Sequence, residues 1–466
     1  MGLSLKHRWR SEGGYRQVLI IAFPLILSTG AWSIQHFVDR MFLSWYSPEA
    51  IAAAMPAGIL NFTIMSFFIG TASYASTFVA QYYGADRKHR IGPATWQGVY
   101  VSLMGGFVLL CIIPFSENIF RWVGHDPAVR QLETEYFQIL CLGGFPVIAS
   151  SALSGFFSGR GRPWPVMWVN TLSTALNLVL DYALIFGRWG FPEMGMRGAC
   201  IATVIAAVFS FLLLLGLISP RNHRRTYHTF TGWKPEKDLL ARLLRFGIPS
   251  GVQFFLEMAG FTAFILLVGR LGTTPLAATN IAFNISTIAF MPMIGSGIAI
   301  SVLVGQYIGM EKPDLAQFSV YSGFHMASFY MLAVAAAYVV FPDLFVAPFA
   351  ARANPESFAE IYALTVILLR FVAVYSIFDT MNLIFASAIK GAGDTRFVMF
   401  MLMVLSAVVL IIPTYLTIVV FQTGLMMPWV VATLYVISLG LAFYFRFLGG
   451  KWKTMSVIGR ASSISS

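Results

Sequence analysis

The stretch FVAQYYGA (Phe78 to Ala85) returns 225 residues later as LVGQYIGM (Leu303 to Met310). The same shift carries Pro24 onto Pro249 without a gap. In a second pair of segments, SGRGRP and IKGAGD, a shift of 232 aligns Gly159 with Gly391 and Gly161 with Gly393. Self-similarity at a nearly constant shift indicates an internal duplication, so the chain consists of two related halves.

The composition places both halves in a membrane. Of the 466 residues, 58% are hydrophobic and only 11% are charged, whereas a soluble domain carries about 25% charged residues. Apolar runs recur along the chain, each long enough to cross a hydrocarbon core of roughly 30 Å. Twelve spans are predicted, at 15–46, 51–80, 92–115, 131–157, 164–187, 196–219, 241–270, 276–306, 316–341, 362–389, 396–420 and 427–448. We therefore predict an all-α polytopic membrane protein.

Six spans in each half give the two repeats the same orientation. Such repeats are related by a pseudo-two-fold axis along the membrane normal, an architecture typical of transporters that open alternately to each side. We predict an amino-terminal lobe at 1–219, a basic cytoplasmic linker at 220–240, a carboxyl-terminal lobe at 241–448 and a cytoplasmic tail at 449–466.

The basic residues predict the orientation. Of the 31 Lys and Arg residues, 23 fall on the side of the amino terminus. Because positive charge accumulates in cytoplasmic loops, both termini are predicted to be cytoplasmic, in a cell (inner or plasma) membrane. This placement explains the net charge of +11 without nucleic-acid binding.

Motifs of energy-coupled or hydrolytic chemistry are missing from the sequence. It contains no phosphate-binding P-loop, zinc-type His/Glu motif or nucleophile elbow. Cys111, Cys141 and Cys200 have neither metal-site nor disulfide spacing. We therefore expect no enzyme activity and no cofactor.

Two acids lie inside the first and fifth spans, Asp39 and Asp181. Inserting a charged residue at mid-bilayer costs roughly 2.5–3.5 kcal/mol even on the mildest insertion scale. An acid at this depth is therefore expected to have a functional or structural role. Helical spacing puts Gln35 and His36 on the face of Asp39, and Asn177 on the face of Asp181. Both acids are predicted to lie roughly 10 Å below the outer boundary. We expect one shared site, in which close carboxylates share a proton. A purely structural polar network is the alternative.

The second half has its own acids, Glu257 and Asp379, near the middle of the seventh and tenth spans. Gln253 and Tyr375 each precede one of them by a helical turn. A buried carboxylate can take a proton at neutral pH and release it when a cation arrives. These residues form a second candidate coupling site.

The chain resembles the multidrug and toxic compound extrusion (MATE) family over its full length, in particular the NorM- and DinF-like bacterial members. The resemblance is carried by the duplicated QYYGA and QYIGM, the RGRP and KGAGDTR turns, FGIPSGVQFFLE at 246–257 and NLVLDYALIFG at 177–187. It implies a secondary exporter of small organic cations that acts as a monomer in the lipid bilayer. The coupling ion is H⁺ or Na⁺.

The resemblance also implies roles for particular residues. The family's amino-terminal cation site matches Asp39, Asn177, Asp181 and Thr203 here, a set that can hold Na⁺. The coupling acids of NorM-like members match Glu257 and Asp379. Pro24 matches a bending point near the cation site; Pro24 and its repeat equivalent Pro249 could also be static kinks. Flippases of lipid-linked oligosaccharides or cell-wall precursors belong to the same superfamily and remain the alternative function.

Overall fold

The chain is helical in the residues that the structure describes. The computed structural model describes residues 5–123, 127–350 and 355–459. Ten α-helices come first: α1 (Leu5–Arg10), α2 (Tyr15–Tyr46), α3 (Pro48–Ser73), α4 (Ala75–Gly84), α5 (Ile91–Ile112), α6 (Ser116–Val123), α7 (Pro127–Leu142), α8 (Gly144–Ser158), α9 (Trp164–Phe186) and α10 (Met196–Ile218).

Nine α-helices follow in the second half of the described chain. They are α11 (Arg221–Tyr227), α12 (Lys237–Gly269), α13 (Thr273–Gly309), α14 (Pro313–Val340), α15 (Pro342–Ala350), α16 (Pro355–Ala392), α17 (Thr395–Leu405), α18 (Ile412–Tyr415) and α19 (Met426–Leu448).

The predicted all-α membrane fold is confirmed. Within the described ranges, eleven helical segments are long and apolar enough to cross a membrane, and α7 with α8 forms a twelfth, broken span. These two helices meet at an angle of 43°. The break lies at Gly143, three residues before Pro146. Pro146 is tolerated in the first turn of α8 because a backbone donor there has no helical acceptor.

The eleventh span is irregular in a way that the sequence analysis did not predict. Two π-helical stretches, Ser406–Ile411 and Leu416–Val420, flank the short α18 that contains Pro413. Proline lacks the N–H that an α-helix requires, and wider turns are a common local adjustment. Pro413 is therefore the physical cause that we assign to this irregularity.

The helices divide into two packing units. The carboxyl-terminal unit comprises Met1–Ile26, Leu256–Ile308 and Lys312–Met455. The amino-terminal unit comprises Leu27–Phe255, Gly309–Glu311 and Ser456–Ser466. The chain thus changes unit inside α2 and inside α12, shortly after Pro24 and Pro249. The lobe boundaries proposed from the repeat differ from these divisions and stay a prediction.

Within the amino-terminal unit, α3 and the first part of α12 approach closely at glycines. A methyl group added to Gly251 would lie 2.2 Å from Thr71 Oγ1 and 2.3 Å from the carbonyl oxygen of Phe67. Gly70 faces the same crossing, where an added Cβ would lie 2.9 Å from the Gly251 Cα. Small residues at such positions let helix backbones meet in a membrane.

We expect Gly251→Ala to destabilise the protein. The backbone carbonyl of Phe67 cannot give way as a flexible side chain can, so the helices must separate, at a cost of about 1–3 kcal/mol. The measurement is the thermal unfolding midpoint of the purified protein in detergent. Gly216→Ala is the matched control, because no atom lies within 4 Å of its added methyl. Equal midpoints for the two variants would contradict a tight crossing.

The basic segment between the halves is docked on the amino-terminal unit. The guanidinium carbon of Arg160 lies 4.5 Å from the centre of the Tyr227 ring. Trp96 Nε1 donates a hydrogen bond of 2.5 Å to the carbonyl oxygen of Thr229. Burial and the nearby charge of Arg160 lower the pKa of His223. The predicted linker therefore packs along α5 and α8 instead of hanging free.

The predicted tail is also docked as far as residue 459. Trp452 is buried in the carboxyl-terminal unit and stacks on Phe447 with ring centres 4.9 Å apart. Four residues later, Ser456 Oγ and the Val457 amide donate to Gln81 Oε1 over 3.0 and 2.9 Å in the amino-terminal unit. Gln81 is the glutamine of QYYGA, so one role of this motif is to receive the tail.

Candidate functional site: two clusters of intramembrane acids

Asp39, Asn177 and Asp181 meet in the amino-terminal unit. Asn177 and Asp181 on α9 are fully buried, and Asp39 on α2 is partly buried. With the Asn177 amide nitrogen turned towards the acids, it lies 3.0 Å from Asp39 Oδ1 and 3.3 Å from Asp181 Oδ2. The two carboxyl groups are also within hydrogen-bonding reach of each other. Three residues that the sequence analysis grouped by depth and helical face thus form one cluster.

A second amide joins this cluster through α2. Gln35 Nε2 lies 3.2 Å from the same amide atom of Asn177. Thr174, one turn before Asn177, directs its hydroxyl at Gln35 Oε1 over 3.5 Å. The acids are therefore embedded in a polar network that links α2 to α9.

One carboxylate oxygen of the cluster has no partner. Asp181 Oδ1 is buried and makes no hydrogen bond within the described residues. A buried acceptor without a donor is costly unless the carboxyl is protonated or a cation approaches it. The arrangement therefore fits a group that binds and releases a small cation.

Thr203 does not bond to the acids. Its hydroxyl donates to the carbonyl oxygen of Ala199 on its own helix, α10, over 3.0 Å. The neighbouring contact, in which Ser173 Oγ donates to Ala206 O over 2.7 Å, brings this part of α10 alongside α9. Thr203 is thus on the helix that packs beside the cluster, and its role as a ligand stays a prediction.

His36 faces an aromatic neighbour. Its ring lies edge-on to Trp32, with centres 4.6 Å apart at 79°, and Trp32 lies 5.5 Å from Phe62. Although Gln35 and Asp39 join Asn177, no hydrogen bond of His36 to either is seen in the described chain. A supporting role for His36 at the acid cluster therefore stays a prediction.

In the carboxyl-terminal unit, Glu257 and Asp379 interact electrostatically. Asn382 donates from Nδ2 to Asp379 Oδ1 over 3.2 Å. Tyr375 is buried one turn before Asp379 and interacts with it electrostatically. Gln253 is buried on α12 but belongs to the amino-terminal unit. Glu257 and Asp379 are therefore electrostatic neighbours in this unit, and their coupling role stays a prediction.

Comparison with known proteins shows which family the chain belongs to. The MatE family model matches residues 24–183 and 249–416, which include most of both repeats. The chain belongs to the MatE family. A probable multidrug resistance protein NorM of Agrobacterium fabrum is 28% identical over 384 residues, 82% of each chain. The similarly described protein of Thermotoga maritima is 23% identical over 461 residues, covering 96% of this chain and 94% of the other.

A solved structure shows the same fold. An outward-facing multidrug resistance MATE family transporter of the MOP superfamily superposes with a TM-score of 0.86 at 19% identity. The match covers 98% of this chain and 100% of that one. The members of the MatE family are transporters. The structural similarity to this neighbour covers nearly the whole length of both chains.

The sequence analysis of this MatE chain did not identify two residues that interact with the first cluster, Tyr136 and Cys200. Tyr136 on α7 interacts electrostatically with both Asp39 and Asp181. Cys200 on α10 interacts with Asp181, and its sulfur lies 3.8 Å from the carbonyl oxygen of Tyr136. The only available signal was the polar run LETEYFQ leading into the fourth span. Its proximity to the acids depends on helix packing.

The sequence analysis ends the tenth span at residue 389 and counts Lys390 among the basic residues on the side of the amino terminus. It lies in the last turn of α16, partly buried, and interacts electrostatically with Glu257. From Asp379 to Lys390 is eleven residues, three helical turns, so both share one face of α16. The second cluster therefore contains a basic residue as well as two acids.

The two prolines lie in continuous helices. Pro24 is inside α2 and Pro249 inside α12, and neither helix is interrupted there. Because neighbouring groups can satisfy the carbonyl freed by a proline, a helix in a membrane can continue through it. A conformational role for either proline stays a prediction.

Proposed function

We propose that this MatE protein is an ion-coupled exporter of small organic cations, working by alternating access as a single chain. The observation that carries the proposal is the cluster of Asp39, Asn177 and Asp181, in which the buried Asp181 Oδ1 has no hydrogen-bond partner among the described residues. The names of its relatives, multidrug resistance proteins, support small organic compounds as substrates.

The coupling ion is H⁺ or Na⁺. Two close carboxylates in a low dielectric favour sharing a proton. The same set also offers Na⁺ the oxygen ligands that hard cations prefer, once the Asn177 amide turns to present its oxygen. The described residues hold no group of three or more His, Cys, Asp or Glu that could bind a metal ion. A Na⁺ site would therefore depend on amide and hydroxyl oxygens.

Coupling follows from competition. The acids bind either the ion or the cationic substrate, and each ligand shifts the population of conformations according to its differential affinity for them. An ion that enters down its gradient thus drives the substrate out. Neither a cofactor nor a catalytic step is required.

The alternative, a flippase of lipid-linked precursors, needs a basic cavity to hold a pyrophosphate. Lys390 is the basic residue that could help to hold a pyrophosphate, but its side chain interacts with Glu257. The clusters in both units contain more acids than bases, which favours a cationic substrate.

The experiment is efflux of a fluorescent organic cation from proteoliposomes under a proton gradient alone and under a Na⁺ gradient alone. We expect one gradient to drive efflux. Transport of a pyrophosphate-linked lipid, with no cation efflux under either gradient, would instead support the flippase.

A separate experiment tests the orientation of the chain in the membrane. It compares a labelling site on the docked basic segment with one on the predicted opposite side. Asn222 is exposed on α11 and predicted to be cytoplasmic, whereas Phe191 is exposed between α9 and α10 on the other side. In a Cys111→Ser background, we expect an impermeant thiol reagent to label Phe191→Cys in intact cells. Asn222→Cys should react only after the membrane is permeabilised. Labelling of Asn222→Cys in intact cells would invert the topology.

A further inference from the structure

The amino-terminal unit contains a cavity that the coupling clusters do not account for. Its volume is about 450 Å³, and polar and apolar groups line it in similar measure. The wall is formed by the end of α2, the start of α3, one side of α7 and the start of α10. The residues that line the cavity include Tyr46, Gln131, Glu135, Met194 and Arg197. We call this cavity the vestibule.

An ion pair stands in the wall of the vestibule. Arg197 Nη2 and Nε lie 2.7 and 2.8 Å from the two carboxylate oxygens of Glu135. The ion pair is bidentate, which fixes its geometry. The Arg197 side chain is nevertheless 62% exposed. Because water competes for an exposed guanidinium, this pair can open at modest cost.

The vestibule adjoins the Asp39–Asp181 cluster. Glu135 is followed by Tyr136, which interacts with both acids. Cys200 interacts electrostatically with Asp181 on one side and with Glu135 on the other. Cys200 thus has both Glu135 and Asp181 among its electrostatic neighbours, and its sulfur lies 3.8 Å from the carbonyl oxygen of Tyr136.

Helix geometry places the vestibule towards the predicted outer face. Tyr46 ends α2 seven residues after Asp39, a rise of roughly 10 Å. On the neighbouring helices, Met194 and Arg197 lie where the chain leaves α9 and begins α10. The vestibule is thus about two helical turns outward of the acids.

We propose that the vestibule is the route by which the coupling cation, a proton or a hydrated monovalent ion, passes between the outer solution and Asp39–Asp181. Glu135 attracts the incoming cation, which replaces Arg197 as the partner of the carboxylate. Arg197 then swings towards solvent, and the cation continues past Tyr136 to Asp181. The route is separate from the path of the organic substrate. This inference rests on the proposed function of the acid cluster.

The first test is the dependence of efflux on the outer concentration of the coupling ion. Removing the charge of a polar cleft lowers the local counter-ion concentration, so Glu135→Gln should weaken the apparent affinity for the ion about tenfold. The maximal rate at saturating ion should stay near that of the wild type. The matched control is Glu117→Gln, which removes an exposed acid paired with Arg121 at 2.9 Å on α6.

The second test does not depend on how Glu135→Gln folds. Gln131 lines the vestibule and is exposed, so Gln131→Cys in a Cys111→Ser background can be labelled after purification. A bulky cationic thiol reagent should slow ion-driven efflux about tenfold, since it repels and obstructs the ion. Equilibrium binding of the organic substrate in detergent should be unchanged.

The outcomes separate the two proposals. If neither Glu135→Gln nor labelled Gln131→Cys changes the ion dependence while Asp181→Asn abolishes coupling, the vestibule is not the route. If Asp181→Asn itself transports with normal coupling, the acid cluster fails and the vestibule fails with it. If labelling reduces substrate binding as strongly as efflux, the vestibule serves the substrate instead, and the separate route is wrong.

Discussion

Asp181→Asn should lower ion-driven efflux by at least about tenfold, the range of a typical coupling free energy. Asp39→Asn should have a similar effect, because the two carboxyls contact the same Asn177 amide and each other. Each substitution removes one member of a pair that holds the ion jointly. The double variant should therefore be hardly worse than either single variant, since residues that act as a unit are non-additive.

The measurement is a double-mutant cycle on initial efflux rates in proteoliposomes with equal protein content. Asp86→Asn is the control, since this acid is 83% exposed and pairs with Lys88 at 2.8 Å. It should leave the rate unchanged. Strictly additive losses for Asp39→Asn and Asp181→Asn would mean that the two acids serve different steps.

The second large effect is expected in the other unit. Glu257→Gln combined with Asp379→Asn should abolish or strongly impair efflux, because the cluster then loses both of its carboxylates, one of which interacts with Lys390. Protein yield should stay largely intact, since an uncharged amide is cheaper to bury than a carboxylate. Wild-type efflux in this double variant would exclude a coupling role for Glu257 and Asp379.

Lys390→Gln provides a sharper test of the same cluster. Because Lys390 interacts with Glu257, its removal should restore part of the activity that Glu257→Gln loses, since the cluster then no longer carries the excess positive charge that Glu257→Gln creates. Asp343→Asn, an exposed acid bonded to Tyr362, is the matched control for this unit.

The sequence predicted the class of fold and the first cluster because both depend on local spacing. Spans follow from apolar length, and Asp39 and Asp181 were joined by counting residues to the span ends. Asn177 followed from the helical repeat. The structure then brought all three within hydrogen-bonding distance.

The residues that the sequence did not reveal depend on packing between distant helices. Tyr136 reaches the acids from α7 only because of how this helix packs on its neighbours. The interaction of Lys390 with Glu257 was not predicted either, because it depends on how α12 and α16 pack in this unit. The divisions inside α2 and α12, shortly after Pro24 and Pro249, likewise depend on which helices each half contacts.

The most direct measurement of the central claim is ion release when the substrate binds. Purified protein in weakly buffered detergent is titrated with an organic cation while a pH indicator, or a Na⁺-sensitive probe, follows the released ion. If the ion and the cation compete for Asp39 and Asp181, the wild type releases the ion and the Asp39→Asn, Asp181→Asn double variant does not. Equal release from both proteins, or substrate binding without release by the wild type, would contradict a coupling role for this cluster.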